Sequence, residues 1–422
     1  MMNRLPFFLQ HNRFILTLLL IAVFVWSLFS IQWNSDLFHA GGIPTMLQIF
    51  EGIIHPDLSA GVLLKGVESA WITLAYAVAG MSLALIYALI VGVLASGTLT
   101  SSRVARLSSK VFFRGILGFT RSIHELIWAW LFVAAVGLSP YAAIFALAIP
   151  YGGILGRIFA DMLNDVPQEP ITALISAGAS KLQILIYGYF PLVWADMISY
   201  TMYRFECAIR SSAIMSFVGL GGLGYQIQLS LADLRYDQVW TYVFFLIALV
   251  LFVDIWSNYV RKGLMERKRR IGFSNGWRSS LFTLLLIISS WMFITIGENA
   301  QLFELLSDKN IEYAKKFFGG LIGLNDKNPA FLNAGSWAAA LKLTLETLEM
   351  SIMAIGFATV AAFITVIPAA RNIANGSLTS SKRWYNWILY GVVRITYIFS
   401  RSVPELVWAM MIIFVFKPGL LP

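Results

Sequence analysis

Apolar segments of about 20 residues recur along the whole chain, and only short polar stretches separate them. A helix of that length crosses the roughly 30 Å of hydrocarbon in a bilayer. With 58% hydrophobic and 13% charged residues, the 422-residue chain has more apolar surface than one water-soluble core could bury. Because backbone polar groups in lipid must be satisfied internally, the pattern predicts an all-α, polytopic membrane protein.

The hydropathy pattern predicts about nine transmembrane helices. They are placed at residues 14–31, 70–95, 116–138, 140–160, 184–205, 239–260, 281–297, 337–368 and 395–416. Basic loops alternate with mixed or acidic ones, which predicts a multi-pass protein of the cell inner membrane with a cytoplasmic N-terminus. The net charge of +9 follows from this topology and gives no indication of a nucleic-acid partner.

A charged phrase occurs twice in the chain. RSIHELIW at 121–128 matches RSVPELVW at 401–408, and LTLLLI at 16–21 matches FTLLLI at 282–287. Because the matches keep their order, we predict two parallel repeats of one unit, a pattern of transporters that place a pathway between halves.

The first predicted repeat covers 1–265 with six spans, and a basic cytoplasmic linker covers 266–280. The second repeat, 281–422, has three spans and is expected to be truncated, since about 120 residues of the first copy find no counterpart. The remainder is absent from the gene, made as another chain or missing from this sequence, and the residues do not choose among these.

The segment 171–193, ITALISAGASKLQILIYGYFPLV, lies between two predicted spans on the basic side. It resembles the coupling loop of ABC-importer permeases, in which Glu-Ala-Ala, three residues and a glycine precede a Leu-Pro by about a dozen residues. The matching positions are Thr172, Ala173, Leu174, Gly178, Ala179 and Pro191. The leading glutamate is absent. The alternative is an ordinary amphipathic helix at the membrane surface.

The stretch 203–228, YRFECAIRSSAIMSFVGLGGLGYQIQ, and both charged phrases resemble the phosphonate-type permeases, relatives of the methionine importer's membrane subunit. That family transports phosphonate, phosphate or phosphite. The resemblance implies a non-enzymatic permease without cofactors, gripped at 161–185 by a cytoplasmic ABC ATPase dimer and served by an extracytoplasmic substrate-binding protein. A second permease chain or self-association stays open, and the second repeat has no coupling loop.

Several charged residues fall inside predicted spans. Arg121 with Glu125, and Arg401 with Glu405, are four residues apart, so each pair shares a helix face and forms an interhelical lock or lines the pathway. His124, where the second copy has proline, is expected to straighten its helix start.

Two arginines, Arg204 and Arg210, are expected to close the fifth span on its outer side. Guanidinium groups suit tetrahedral oxyanions, so these residues are candidate anion contacts. The alternative is an interfacial anchor with Glu206 as counter-ion.

The segment VGLGGLG at 218–224 is predicted to form a re-entrant turn or gate. Its glycines are Gly219, Gly221, Gly222 and Gly224. A nucleotide-binding loop is excluded because the chain contains no Gly-Lys dipeptide.

The single cysteine, Cys207, excludes an intrachain disulfide, and no Cys/His spacing suits a metal.

Two other functions compete with the importer. An ion-coupled secondary carrier would need acidic residues near mid-membrane, where Asp196 is the one persuasive candidate. A truncated, non-functional permease fragment would follow from the incomplete second repeat.

Overall fold

The computed structural model describes residues 7–29, 41–267, 274–298, 300, 307–324, 329–377, 384–413 and 415–416. The α-helices of this part are α1 (Phe7–Phe29), α2 (Gly42–Ile54), α3 (Ala60–Ser96), α4 (Arg103–Ser122), α5 (Glu125–Val136), α6 (Pro140–Asn164), α7 (Gln168–Ser176), α8 (Lys181–Gln183), α9 (Phe190–Met215), α10 (Leu223–Ala232), α11 (Tyr236–Arg267), α12 (Ser274–Met292), α13 (Asp308–Leu321), α14 (Ala334–Val366), α15 (Arg371–Ala374), α16 (Trp384–Ser402) and α17 (Glu405–Ile413). Residues 268–273 of the predicted linker lie outside the described residues.

Six of the described helical segments are long and apolar enough to cross a membrane. They are Ala60–Ser96, Pro140–Asn164, Lys181–Val218, Tyr236–Gly263, Ser279–Gly297 and Ala334–Ala374. A seventh span results if α4 and α5 count as one. The all-α, membrane-spanning fold is therefore confirmed, while the predicted count of about nine is not reached among the described residues.

The predicted span 116–138 is not a continuous helix. α4 ends at Ser122, α5 begins at Glu125, and their axes differ by 89°. Ile123 and His124 between them have extended backbone, and Nδ1 of His124 accepts a hydrogen bond from the Leu126 N–H at 3.2 Å. His124 therefore begins α5 as its N-cap, and the expectation that it straightens the helix is wrong.

The second copy of the phrase has the same helix ends. α16 ends at Ser402 and α17 begins at Glu405, so the predicted span 395–416 is interrupted at the corresponding residues. Here Pro404 supplies the local cause, because a proline disfavours helical backbone in the residue before it. The division of the chain into two repeats stays a prediction.

The density of contacts divides the chain into two compact units. One unit comprises residues 50–319 with 402–407, and the other comprises 1–49, 320–401 and 408–422. In the first unit, α3 packs closely on α6. Six alanines of α3 are fully buried, and a Cβ on Gly92 would lie 2.8 Å from the Gly156 carbonyl oxygen. Small residues permit this close approach of two membrane helices.

The first helix of each predicted repeat packs on a helix of the other predicted repeat. In the first unit, α12 lies on α3, where the indole Nε1 of Trp291 donates to Ser82 Oγ at 3.1 Å. In the second unit, α1 lies on α14, where the rings of Phe24 and Phe357 meet edge to face at 5.6 Å.

Candidate functional site

The predicted coupling loop is a short helix followed by a left-handed turn. α7 ends at Ser176, and Gly178 has φ +81°. The Gly178 N–H donates to the Ile175 carbonyl and the Ala179 N–H to the Leu174 carbonyl, both at 3.0 Å. These two bonds form a Schellman motif, and its positive φ favours glycine although the space around Gly178 is open.

Two further local motifs connect this turn to the beginning of α9. Ser180 and Gln183 form a capping box at the start of α8. A π-helical turn, Ile184–Tyr189, follows directly. Pro191, which has no N–H to donate, is the second residue of α9 and follows this turn directly.

α7 is packed against this π-helical turn. A Cβ on Gly188 would lie 2.9 Å from both Ile171 Cδ1 and Leu174 Cδ1, so the small residue lets the two segments approach closely. Ile171 is 3% exposed. The coupling segment, residues 168–180, is thereby joined to the beginning of α9.

The side of the coupling segment that faces away from the π-helical turn is exposed. Thr172, Ala173, Ala177 and Gly178 are exposed, and the apolar side chain of Ile175 is 51% exposed. The segment therefore offers a small, partly apolar knob to a partner.

The predicted Arg121–Glu125 ion pair does not form. Because the helix is broken between these residues, they do not share a face, and no salt bridge joins them within the described part of the chain. Arg121 is exposed. Arg401 and Glu405, on either side of the corresponding break in the second copy, are exposed as well.

Glu125 belongs instead to a network with two residues that sequence reasoning missed. The Ser211 hydroxyl donates to Glu125 Oε1 at 2.5 Å and lies 2.8 Å from the Tyr151 hydroxyl. The Glu125 side chain is 18% exposed. This network joins the beginning of α5 to α6 and α9.

Arg204 and Arg210 do not close a span, because α9 continues to Met215. Arg204 Nη2 donates to the Tyr200 hydroxyl at 2.7 Å, and its guanidinium lies 5.2 Å from the centre of that ring. The expected counter-ion, Glu206, is buried and pairs with Arg261 Nη2 at 2.6 Å. Cys207 Sγ accepts from Arg210 at 3.6 Å. Whether Arg204 and Arg210 contact an anion stays a prediction.

The glycine-rich turn links α9 to α10 and is held by buried hydroxyls. Gly219, Gly221 and Gly222 have φ between +77° and +94°. The Leu223 N–H donates to Thr73 Oγ1 at 2.9 Å, and the Ser212 hydroxyl donates to the Thr73 carbonyl at 2.8 Å. This segment is therefore anchored to α3.

Gly224 follows at the start of α10, where a side chain would collide with the carbonyl oxygen of Ala213. Its role as part of a gate stays a prediction, as does that of the other three glycines.

A second Schellman turn lies between α10 and α11. The Leu234 N–H donates to the Leu231 carbonyl at 3.1 Å, and the Arg235 N–H donates to the Ser230 carbonyl at 2.8 Å. Leu234 has φ +58°, and among the described residues it is the one non-glycine with positive φ.

Asp57 clamps this second turn. Its carboxylate accepts from the Ser59 N–H at 2.9 Å, from Gln238 Nε2 at 3.1 Å and from Arg235 Nη2 at 3.3 Å. Led by the Ser59 backbone bond, these donors hold the pKa of Asp57 below its ordinary value.

Comparison with known proteins identifies the family of this chain. The model of the family "Binding-protein-dependent transport system inner membrane component" matches residues 5–266. The chain belongs to this family. It is a transport permease component of the inner membrane, not an enzyme, and the family's description implies a substrate-binding protein as partner.

Curated relatives of this permease have related names. The phosphite transport system permease protein PtxC of Stutzerimonas stutzeri is 30% identical over 52% of this chain and 78% of its own length. The putative phosphite transport system permease protein HtxC of the same organism is 30% identical over 59% of this chain and 87% of its own. The phosphate-import permease protein PhnE of Mycolicibacterium smegmatis is 26% identical over 90% of this chain and 66% of its own.

Among solved structures, the permease is similar to an inward-facing conformation of the MetNI methionine ABC transporter. The identity is 22%, the match covers 49% of this chain and 99% of that chain, and the TM-score is 0.45.

Proposed function

We propose that this permease is the membrane-spanning part of an ATP-driven importer for a phosphorus oxyanion, such as phosphite, phosphonate or phosphate. The names of the relatives support the substrate class, since two are phosphite permeases and one imports phosphate. Exposed Arg121 and Arg401 beside the helix breaks support it chemically, because guanidinium donates paired hydrogen bonds to such anions.

The observation that carries the proposal is the coupling segment. It is an exposed segment with an open glycine turn, and it is packed against the turn that leads into α9. A cytoplasmic ATPase dimer that grips residues 168–180 would move the start of α9 directly. Because α9 reaches Glu125 through Ser211, the same movement would reach the break between α4 and α5.

A cytoplasmic coupling segment also determines the orientation of the chain in the membrane and the side on which each partner binds. The N-terminus and the coupling segment face the cytoplasm, where the basic loops also lie. The substrate-binding protein delivers its cargo on the opposite side, and the ATPase drives alternating access. A second permease chain, or a second copy of this one, joins it in the membrane to complete the transporter.

Uptake into proteoliposomes tests the proposal, with the cognate ATPase inside and the binding protein outside. We expect accumulation of radiolabelled phosphite, phosphonate or phosphate that requires ATP and is unaffected by an uncoupler. Uptake driven by an ion gradient without ATP would indicate a secondary carrier instead. The candidate residue for such a carrier, Asp196, is exposed rather than enclosed.

A further inference from the structure

An apolar groove that the transport function does not use lies within the unit of residues 50–319 and 402–407. It has a volume of about 550 Å³ and is walled mainly by α3, α9, α11 and α12. Its lining includes Leu85, Trp194, Met197, Val260 and Leu284. A narrower extension of about 90 Å³ continues to Phe205 and Trp256.

The chemistry of the groove does not suit a transported anion. None of the described residues that line it carries a charge. The hydroxyls of Thr201 and Thr283 donate to carbonyls of their own helices, at 2.8 Å each, so they offer no hydrogen to a ligand. In a bilayer, an empty groove of this kind would forfeit the dispersion contacts of its whole lining.

The dimensions of the groove suit one acyl chain. Trp194 and Phe205 are about 16 Å apart along α9 at 1.5 Å per residue. One leaflet of hydrocarbon is about 15 Å thick, half of the bilayer core. A helix of the same length and of 10–12 Å diameter would occupy well over about 1,000 Å³, more than the groove provides.

A basic side chain, not itself part of the lining, lies next to one end of the groove. Val260 and Gly263 line the end near Trp194 and Ser279, and the exposed Lys262 lies between them in α11. The neighbouring Arg261 is engaged by Glu206.

We propose that this groove binds one acyl chain of an anionic phospholipid, whose headgroup pairs with Lys262. Lipid tails are as apolar as the groove, so packing and headgroup charge supply the selectivity rather than the hydrophobic effect. The occupant is a lipid and not a helix of a second copy, because of the groove's volume and the basic residue next to its end. The site is independent of the proposed substrate.

Native mass spectrometry of the purified full chain, titrated with phosphatidylglycerol or phosphatidylcholine, tests the proposal without any transport readout. We expect one tightly held phosphatidylglycerol per chain. Gly263→Trp fills the groove from a position with open space and should lower this occupancy at least about tenfold. The control Ile255→Trp adds the same indole to α11 at a position that is 70% exposed, and should leave occupancy unchanged.

Lys262→Gln should reduce the preference for phosphatidylglycerol over phosphatidylcholine about fivefold, the contribution of one basic residue near a membrane surface. Thr283→Ala widens the groove without blocking it and should retain the lipid, which keeps the test decisive if Gly263→Trp does not fold. Equal occupancy in Gly263→Trp and Ile255→Trp would overturn the proposal. So would equal affinity of the unaltered chain for both lipids, or a dimer that Gly263→Trp dissociates.

Discussion

Two turns of the same geometry, at residues 173–179 and 229–235, have opposite surroundings. Both are Schellman motifs whose left-handed residue follows a helix, yet one carries Gly178 and the other Leu234. The Gly178 turn has open space around it, whereas Asp57 clamps the Leu234 turn through Arg235 and Gln238. A strained backbone persists where its surroundings over-determine it, and a turn without such support needs glycine. The Gly178 turn is therefore accessible to a partner protein.

The largest effect on transport is expected from a bulky substitution at the exposed Gly178 turn. Ala177→Trp places an indole on the exposed surface of the coupling segment and should lower ATP-driven uptake at least about tenfold, because the ATPase can no longer seat there. Uptake and co-purification of the ATPase measure this. The control, Leu64→Trp, adds an indole to α3 at a position that is 74% exposed. Full uptake by Ala177→Trp would remove the basis for the coupling assignment.

Gly178→Ala tests the backbone requirement of the same turn. A Cβ meets nothing there, so the cost arises from the positive φ alone, about 1–2 kcal/mol against local folding. Hydrogen exchange of the amides of residues 168–180 should become correspondingly faster. Unchanged exchange would mean that the turn relaxes to another conformation at no cost.

Removing the clamp should weaken the second turn. Asp57→Asn should cost about 1 kcal/mol of stability through the weakened bonds to Ser59, Gln238 and Arg235. Because the pKa of Asp57 is lowered by folding, its contribution is complete above the ordinary carboxyl pKa and is lost as the pH falls through the lowered value. Unfolding in detergent between pH 2 and pH 6 should show a larger loss of stability in the unaltered chain than in Asp57→Asn, which lacks this titrating group.

Leu234→Gly should give the smallest effect, and of opposite sign. Relief of the positive φ is worth about 1–2 kcal/mol, and the greater freedom of glycine in the unfolded chain returns about 0.4–1 kcal/mol of it. The net gain of roughly 0.5–1 kcal/mol would appear as a higher midpoint of unfolding. Destabilisation would instead show that the Leu234 side chain makes contacts that outweigh the strain.

Much of this fold could be predicted from hydropathy, because length and apolarity suffice to identify a membrane helix. The predicted spans 140–160 and 239–260 lie within the observed helices α6 and α11. The break at Ile123 and His124 was missed, since neither residue signals it, although Pro404 in the second copy does.

The candidate site was less predictable. The Gly178 turn followed from a local motif, and the Arg204–Tyr200 contact could have been found from its i,i+4 spacing. The partners of Glu125 could not, because Tyr151 and Ser211 are remote in sequence and only tertiary packing brings them to it.

The reciprocal packing of α12 on α3 and of α1 on α14 has a consequence for the integrity of the molecule. A protease that cleaved the peptide link between α11 and α12 would release neither fragment. The first helix of each fragment would still be packed on a helix of the other fragment, so the two would stay associated. We expect the nicked protein to migrate as one particle in mild detergent and as two bands only after denaturation.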